Sequence, residues 1–289
     1  MPVKAALSKA ICQVSTRATH PDGTPYRSIR MKDLEQLCQE HGLCGREAEI
    51  SALEAGVVPE RYARSMKVYS LEDQATLLRS CVCVVGMGGL GGTVVEMLAR
   101  LGVGILLLVD GDTFDESNLN RQFLCREQGL GKPKVQEAAR RVGAINSSVA
   151  VHTHQAYLNE DNAPSILGDS DVAIDCLGGF KDRFVLEGAT KKAGCPLVSA
   201  AVAGLSGHVT TIFPTDPGLQ LIYGDAQSLP AAGAESSLGC LPQITTLLAA
   251  LECSEATKIL LKKRPLLRHR LMVIDLDDMG GEVMDLQRD

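Results

Sequence analysis

Residues Val84–Gly92 read VVGMGGLGG. The glycines follow an apolar run, CVCVVG, and precede LGGTVVEMLARLG, whose apolar residues recur at helical spacing. Gly86, Gly88, Gly89 and Gly91 therefore sit between a buried strand and a helix, in the order G-x-G-x-x-G. Glycine allows the tight turn and lets backbone approach a phosphate, and the helix N-terminus adds free N–H groups and a positive dipole end. The same glycines would also serve plain strand–helix packing. An acid after the next strand tips the reading towards a nucleotide, since such an acid binds ribose hydroxyls. Asp110, at the end of ILLLVD, fills that place. Nicotinamide and ATP sites are both open at this point.

Outward from the turn, strands and helices alternate. KPKVQEAARRVGAIN reads as a helix, VAVHTH as a strand, EDNAPSIL as helix-like, DVAIDCLGG as a strand, KDRFVLEGATKKAG as a helix and PLVSAAV as a strand. Apolar strands separated by amphipathic helices imply crossover units and a parallel sheet covered on both faces. After Gly204 the texture changes. GHVTTIFP and LQLIYGD read as antiparallel strands, CLPQITTLLAALECSEATKILLKK as a long helix, and LMVIDLDD with GEVMDLQ as a closing hairpin. Before the sheet, MKDLEQLCQEHGL and REAEISALEAG read as two short helices stopped by Gly42 and Gly56, after a turn at HPDGTPY. The expected fold is α/β: a Rossmann-like, doubly wound, mostly parallel sheet with a C-terminal antiparallel extension and an N-terminal helical hairpin. Residues 1–60 form the extension and 61–289 the main domain, with a nucleotide-binding core at about 80–200.

Composition sets limits on function. Lys and Arg number 29 against 35 Asp and Glu, a net charge of −6, so no global basic field draws the chain to nucleic acid or an anionic membrane. No uncharged run reaches the ~18 residues of a membrane helix. The N-terminal apolar stretch is broken by Ser8 and Lys9, unlike a signal peptide. The ten cysteines are scattered without a C-x-x-C pair, and several lie inside apolar runs. Free thiols in a reducing cytoplasm are the expectation. No structural zinc is expected, and no residue is assigned as a metal ligand.

The residues after Asp110 decide between the two nucleotides. VDGDTFDESNLNRQ and GKPKV place Asp112, Ser117, Asn118, Arg121 and Lys134 beyond the ribose acid. Hydride transfer has no need of several fixed cations above the phosphates. A reaction at phosphorus does, because charge accumulates on the α-phosphate and the departing pyrophosphate. Lys134 stands at a helix N-terminus, where a cation opposes the dipole, so a merely solvated role is a poor fit.

GMGGLG, VDGDTFDESNLNRQ and GKPKV together resemble the ThiF/MoeB/HesA family, prokaryotic relatives of the ubiquitin-activating enzymes. The likeness begins near RYARSMKVYSLEDQATLL and extends through PLVSAAVAGLSGHVTTIFP and LECSEATKILL. SNLNRQ is its specific element. The resemblance implies ATP, with Mg2+, and adenylation of the C-terminal glycine carboxylate of a small ubiquitin-like sulfur carrier of the MoaD or ThiS kind, with release of pyrophosphate. It implies that Gly86, Gly88, Gly89 and Gly91 approach the phosphates and that Asp110 holds the ribose. Asp112, Ser117, Asn118, Arg121 and Lys134 complete the nucleotide site. Arg64, in RYARS, matches an arginine that family dimers insert into the neighbour's site, which implies a homodimer. Residues 220–239 match a crossing loop that covers the carrier's tail.

One position departs from the pattern. Where the family continues the strand with an acid that helps hold magnesium, this chain has Gly178, in Asp175-Cys176-Leu177-Gly178-Gly179. Three consequences are open: Asp112, Asp175 or Asp182 takes over the metal; the chain binds nucleotide as a catalytically silent partner module; or the glycines make room for another substrate group. An NAD(P)-dependent oxidoreductase is the remaining alternative. Cys240, before the long helix, is the best-placed thiol for sulfur chemistry, though a small buried residue is the plainer reading.

Overall fold

The computed structural model describes residues 2–230 and 233–286. The first strand of the main sheet is the fourth strand of the chain. Three short strands precede it, β1 (Thr16–Thr19), β2 (Pro25–Ile29) and β3 (Val58–Pro59), so the core strand is β4 (Cys81–Val85). Then come β5 (Ile105–Val109), β6 (Ala150–His154), β7 (Val172–Asp175), β8 (Leu197–Ala203), β9 (Ser206–Ile212), β10 (Arg270–Asp275) and β11 (Gly280–Asp285). The helices are α1 (Pro2–Val14), α2 (Met31–His41), α3 (Gly45–Glu54), α4 (Leu71–Arg79), α5 (Gly89–Leu101), α6 (Lys134–Ile145), α7 (Ala163–Leu167), α8 (Phe180–Ala193), α9 (Gln220–Tyr223), α10 (Glu235–Leu238) and α11 (Pro242–Leu260).

The eight-stranded sheet runs β11-β10-β9-β8-β7-β4-β5-β6. Strands β6, β5, β4, β7 and β8 are parallel, and β9, β10 and β11 continue antiparallel. Strand β4 shows why its sequence is apolar throughout. Val82 and Val84 enter one core with α5, α6 and α11, while Cys83 and Val85 enter a second core with α7 and α8. Alternate side chains point to opposite faces and both faces are covered, so no polar residue is tolerated. Cys83 is a buried apolar filler here, and burial pushes its thiol well up. The chain leaves β4 towards β5 on one side and places β7 on the other. The crevice beyond the carboxyl ends of these strands is the expected ligand site of such a sheet.

The α/β fold, the parallel core and the antiparallel extension agree with the sequence reading. LQLIYGD does not: Gln220–Tyr223 is the short helix α9. Strand β9 already has β8 on one side and β10 on the other, so no free edge remains for a strand there. The read closing hairpin is β10–β11, although its last read residue, Gln287, lies outside the described residues. No helix among the described residues is long and apolar enough to cross a membrane.

The helical hairpin before the sheet is α2–α3, with Gly42 in the left-handed conformation as its stop. It is part of a larger unit than the sequence reading gave. Helix α1 buries Leu7 and Ile11 against α2 and α3, and β1 and β2 form a hairpin around the Asp22-Gly23 turn, with β3 added parallel to β2. A buried polar cluster joins this unit to the core. The Glu49 carboxylate accepts from Tyr62 (2.9 Å) and from Ser148 (2.9 Å), and Asn146 Nδ2 donates to the Tyr62 hydroxyl (2.9 Å).

Candidate functional site

The glycine turn shapes the floor of the crevice. Gly86 has φ +96°, and a β-carbon there would stand 2.5 Å from the carbonyl oxygen of Cys176. A side chain would therefore push the end of β4 away from the end of β7. Gly91 is forced for a different reason: a β-carbon on it would meet the Gly86 oxygen at 1.7 Å. Gly86, Gly88 and Gly89 line a cleft of about 650 Å³, and Gly91 lies beneath as packing. The volume suits a small-molecule ligand. Helix α5 starts at Gly89, so its free N–H groups face this space.

One wall rises from β5. The Asp110 carboxylate accepts from the backbone N–H of Met87 (2.6 Å) and of Asp112 (2.8 Å), which fixes it at the strand end. Burial pushes its carboxyl up, against the pull of those hydrogen bonds and of Lys134. Lys134 Nζ donates to Asp112 Oδ2 (3.1 Å), and the Tyr157 hydroxyl donates to Asp112 Oδ1 (2.6 Å). Burial works against ionisation of Asp112, but the Tyr157 and Lys134 contacts outweigh it and hold the carboxyl below its ordinary value. Lys134 is nearly buried at the first turn of α6, so Asp112 offsets the helix dipole that a cation there must oppose.

The SNLNRQ element crosses the cleft. Arg121 Nη1 donates to the Ser117 carbonyl (3.0 Å) and to Asn120 Oδ1 (2.9 Å), which anchors the guanidinium at the cleft wall. Ser117 lines the cleft too. Asn118 does not. Its Oδ1 accepts from the Asp115 N–H (3.2 Å), so this amide closes its own turn. Gln122, which the sequence reading passed over, is 5% exposed and lines the cleft beside Gly88. Its Oε1 is buried without a hydrogen-bond partner. Such an orphan is costly unless a ligand or water satisfies it. The only sequence signal for Gln122 was its place at the end of SNLNRQ.

The opposite wall comes from β7. Asp175 is fully buried and pairs with Arg183 Nη1 (2.8 Å), while accepting from Ser199 Oγ (2.6 Å). It is committed to this network and is not free for a metal. Arg183 also donates to the carbonyls of Ala200 (2.6 Å) and Leu177. It thereby fixes the turn that carries Gly178. Sequence periodicity gave Arg183 no special place, because its partners come from two separate segments, the end of β7 and strand β8. Beneath it, burial pushes the Glu252 carboxyl well up; its Oε2 accepts from Cys176 Sγ (3.8 Å), and its Oε1 has no partner among the described residues. Gly178 and Asp182 line the cleft above.

Cys240 lines the cleft near Arg121. Burial pushes its thiol up, and Arg121 only partly opposes this, so it is not an activated thiolate. Arg64 is exposed and is not among the residues lining this chain's own cleft. In the segment 220–239, residues 231 and 232 lie outside the described residues. Glu235, Gly239 and Cys240 bring its far end over the cleft.

The model of the ThiF family matches this chain over residues 62–289. The chain belongs to the ThiF family. Among ThiF-family relatives, the SAMP-activating enzyme E1 of Haloferax volcanii is 34% identical over 230 residues, covering 78% of this chain and 84% of that protein. The adenylyltransferase and sulfurtransferase MOCS3 of Arabidopsis thaliana is 32% identical over 211 residues, covering 68% of this chain and 46% of that protein. The crystal structure of E. coli MccB with ATP shares the fold, with a TM-score of 0.65 and 20% identity over 90% of this chain and 80% of that one. The resemblance drawn from GMGGLG, SNLNRQ and GKPKV is borne out.

Proposed function

We propose that this ThiF-family chain uses ATP to adenylate the C-terminal glycine carboxylate of a small ubiquitin-like sulfur carrier. The observation that carries the reading is the convergence of Lys134, Arg121 and the α5 N-terminus on one cleft with Asp110. Ribose hydroxyls would donate to Asp110, and the phosphates would lie over the glycine turn. The orphaned amide of Gln122 and the space left by Gly86, Gly88 and Gly89 fit that ligand.

The chemistry follows from charge. A carboxylate oxygen attacks the α-phosphorus, the bond to the bridging oxygen of the β-phosphate breaks, and pyrophosphate leaves with that oxygen. The product is a mixed anhydride, far more reactive towards nucleophiles than the carboxylate. Two anions must meet, so fixed cations dominate the barrier: Lys134 and Arg121 need not reorganise as charge shifts to pyrophosphate. Magnesium, when bound, would neutralise triphosphate charge. It favours oxygen donors and often needs only one or two carboxylates, a demand that acids bordering Gly178 meet. Arg64 would complete the site of a second copy, making the active form a homodimer. Residues 220–239 would cover the carrier's tail, with residues 1–60 an N-terminal extension packed on the main domain. Ten free cysteines suit a cytoplasmic setting.

Gly178 favours one rival reading, a silent nucleotide-binding partner module. ATP–pyrophosphate exchange with a diglycine-ended carrier distinguishes the two. Exchange is expected in the intact chain and should be lost in Arg121→Ala and Lys134→Ala. Tight ATP binding without exchange for any carrier would instead identify the silent module. Thermal stabilisation by NAD and not by ATP would overturn both in favour of an oxidoreductase.

A further inference from the structure

The two glycines at the end of the β7 wall are matched by two carboxylates. Glu235 Oε1 lies 3.5 Å from where a β-carbon on Gly178 would stand, and Asp182 Oδ2 lies 3.0 Å from the equivalent point on Gly179. Glu235 is the first residue of α10, on the segment that passes over the cleft, and Asp182 is in the first turn of α8. Both line the cleft. Neither carboxylate has a hydrogen-bond or ion-pair partner among the described residues. The segment bearing Glu235 is tied down. The Gly239 N–H donates to the Glu235 carbonyl (2.9 Å), and the Gly204 N–H donates to the Gly239 carbonyl (2.8 Å) at the end of β8.

Their place in the cleft is at the phosphate end. The turn at 176–178 abuts the glycine turn, with the Cys176 oxygen and Leu177 nitrogen packed on Gly86. Asp110 stands on the other side of β4, past β5. The same cleft is lined by the cations Arg121 and Lys134 and by Gln122, whose amide oxygen has no partner among the described residues, features of a site for an anion. A carboxylate facing a triphosphate is repulsive unless a cation lies between them. Among the described residues no three His, Cys, Asp or Glu side chains converge to hold a metal by themselves. A divalent ion that arrives on the nucleotide, with its waters, needs no such cage.

We propose that Glu235, supported by Asp182, is the carboxylate that receives the divalent cation of the bound nucleotide, taking from above the place that Gly178 leaves open at the strand end. This rests on the ATP reading of the cleft and adds to it a residue from the overhead segment.

The test measures binding, apart from turnover. The full chain is titrated with ATP in EDTA, with ATP and Mg2+, and with ATP and Mn2+, whose bound form is read by electron paramagnetic resonance. In Glu235→Gln, metal-dependent tightening should shrink by about tenfold or more, and the bound Mn2+ spectrum should change. Binding of metal-free ATP should hold or improve, because a repulsive charge has gone. Gly178→Asp in the Glu235→Gln background should restore the metal increment. Gly178 has no positive φ, and an added β-carbon there meets Glu235 at ordinary contact distance. A Glu235→Gln chain that keeps the full increment, or that loses metal-free and metal-bound binding equally, overturns the assignment and leaves the ATP reading standing. An intact chain with no affinity for ATP under any condition overturns both.

Discussion

The two walls of the cleft manage charge in opposite ways. On the β5 wall every acid is answered: Asp110 accepts two backbone N–H groups, and Asp112 is held between Lys134 and Tyr157. On the β7 wall the answered acid lies underneath, where Arg183 neutralises Asp175, while Glu235 and Asp182 above it have no partner among the described residues. A paired wall suits neutral hydroxyls such as those of a ribose. A wall with exposed, unpaired carboxylates suits a ligand that brings its own cation. On the proposed reading, nucleotide specificity lies on the β5 side and metal dependence on the β7 side.

The largest expected effect comes from breaking the buried pair that supports the β7 wall. Arg183→Met leaves Asp175 as an uncompensated charge at a fully buried position near the buried carboxyl of Glu252. A loss of about 3–5 kcal/mol in urea unfolding is expected. A loss below ~1 kcal/mol would mean that Asp175 finds another partner and that this wall is not built on the pair. Lys134→Ala attacks the β5 wall through chemistry. With its cation gone, exchange should fall about 10²–10³-fold. Equal loss of ATP binding and exchange would instead make Lys134 a ground-state contact alone.

Gly86→Ala tests the seam where the walls meet. The backbone there is left-handed and the new methyl would press on the Cys176 carbonyl. Destabilisation of about 1–3 kcal/mol is expected, with weaker ATP binding because the β7 turn is pushed off the glycine turn. Unaltered melting and nucleotide binding would show that the ends of β4 and β7 can separate freely.

Legibility followed the same division. The β5 wall was readable because its parts lie close in sequence: the strand ILLLVD, its terminal acid, SNLNRQ and GKPKV. Asn118 and Gly91 were placed at the ligand because motif position does not reveal which side chains turn inward. The β7 wall was only half readable. Gly178 was visible as a departure, but Arg183, Gln122 and Glu235 acquire meaning through partners brought in by the fold. The parallel sheet was legible because burial on both faces leaves apolar runs. LQLIYGD has the composition of a strand and failed for want of an edge to join. The β1–β2 hairpin was invisible for the opposite reason. Its strands are short and largely exposed, so TRAT and PYRSI carry no apolar alternation to read.

The smallest expected effect is Tyr157→Phe, which loosens the β5 wall without removing any charge. Tyr157 is 70% exposed, so its packing is modest and its hydroxyl contact with Asp112 is its main tie. Removing the hydroxyl takes away one of the contacts that hold the Asp112 carboxyl below its ordinary value, and Lys134 remains. A carboxyl depressed in the folded state contributes stability that is present above the unfolded-state value and lost as pH falls through the folded one. In the Phe variant this contribution is smaller, because the folded carboxyl is less depressed, and its loss is complete at a higher pH. The Phe chain should therefore melt slightly lower near neutrality, by no more than the small worth of one exposed hydrogen bond, and the two melting curves should converge as pH descends through the carboxylate range. Parallel curves throughout would mean that Lys134 alone sets the ionisation of Asp112, and that the β5 wall needs no help from the tyrosine to stay paired.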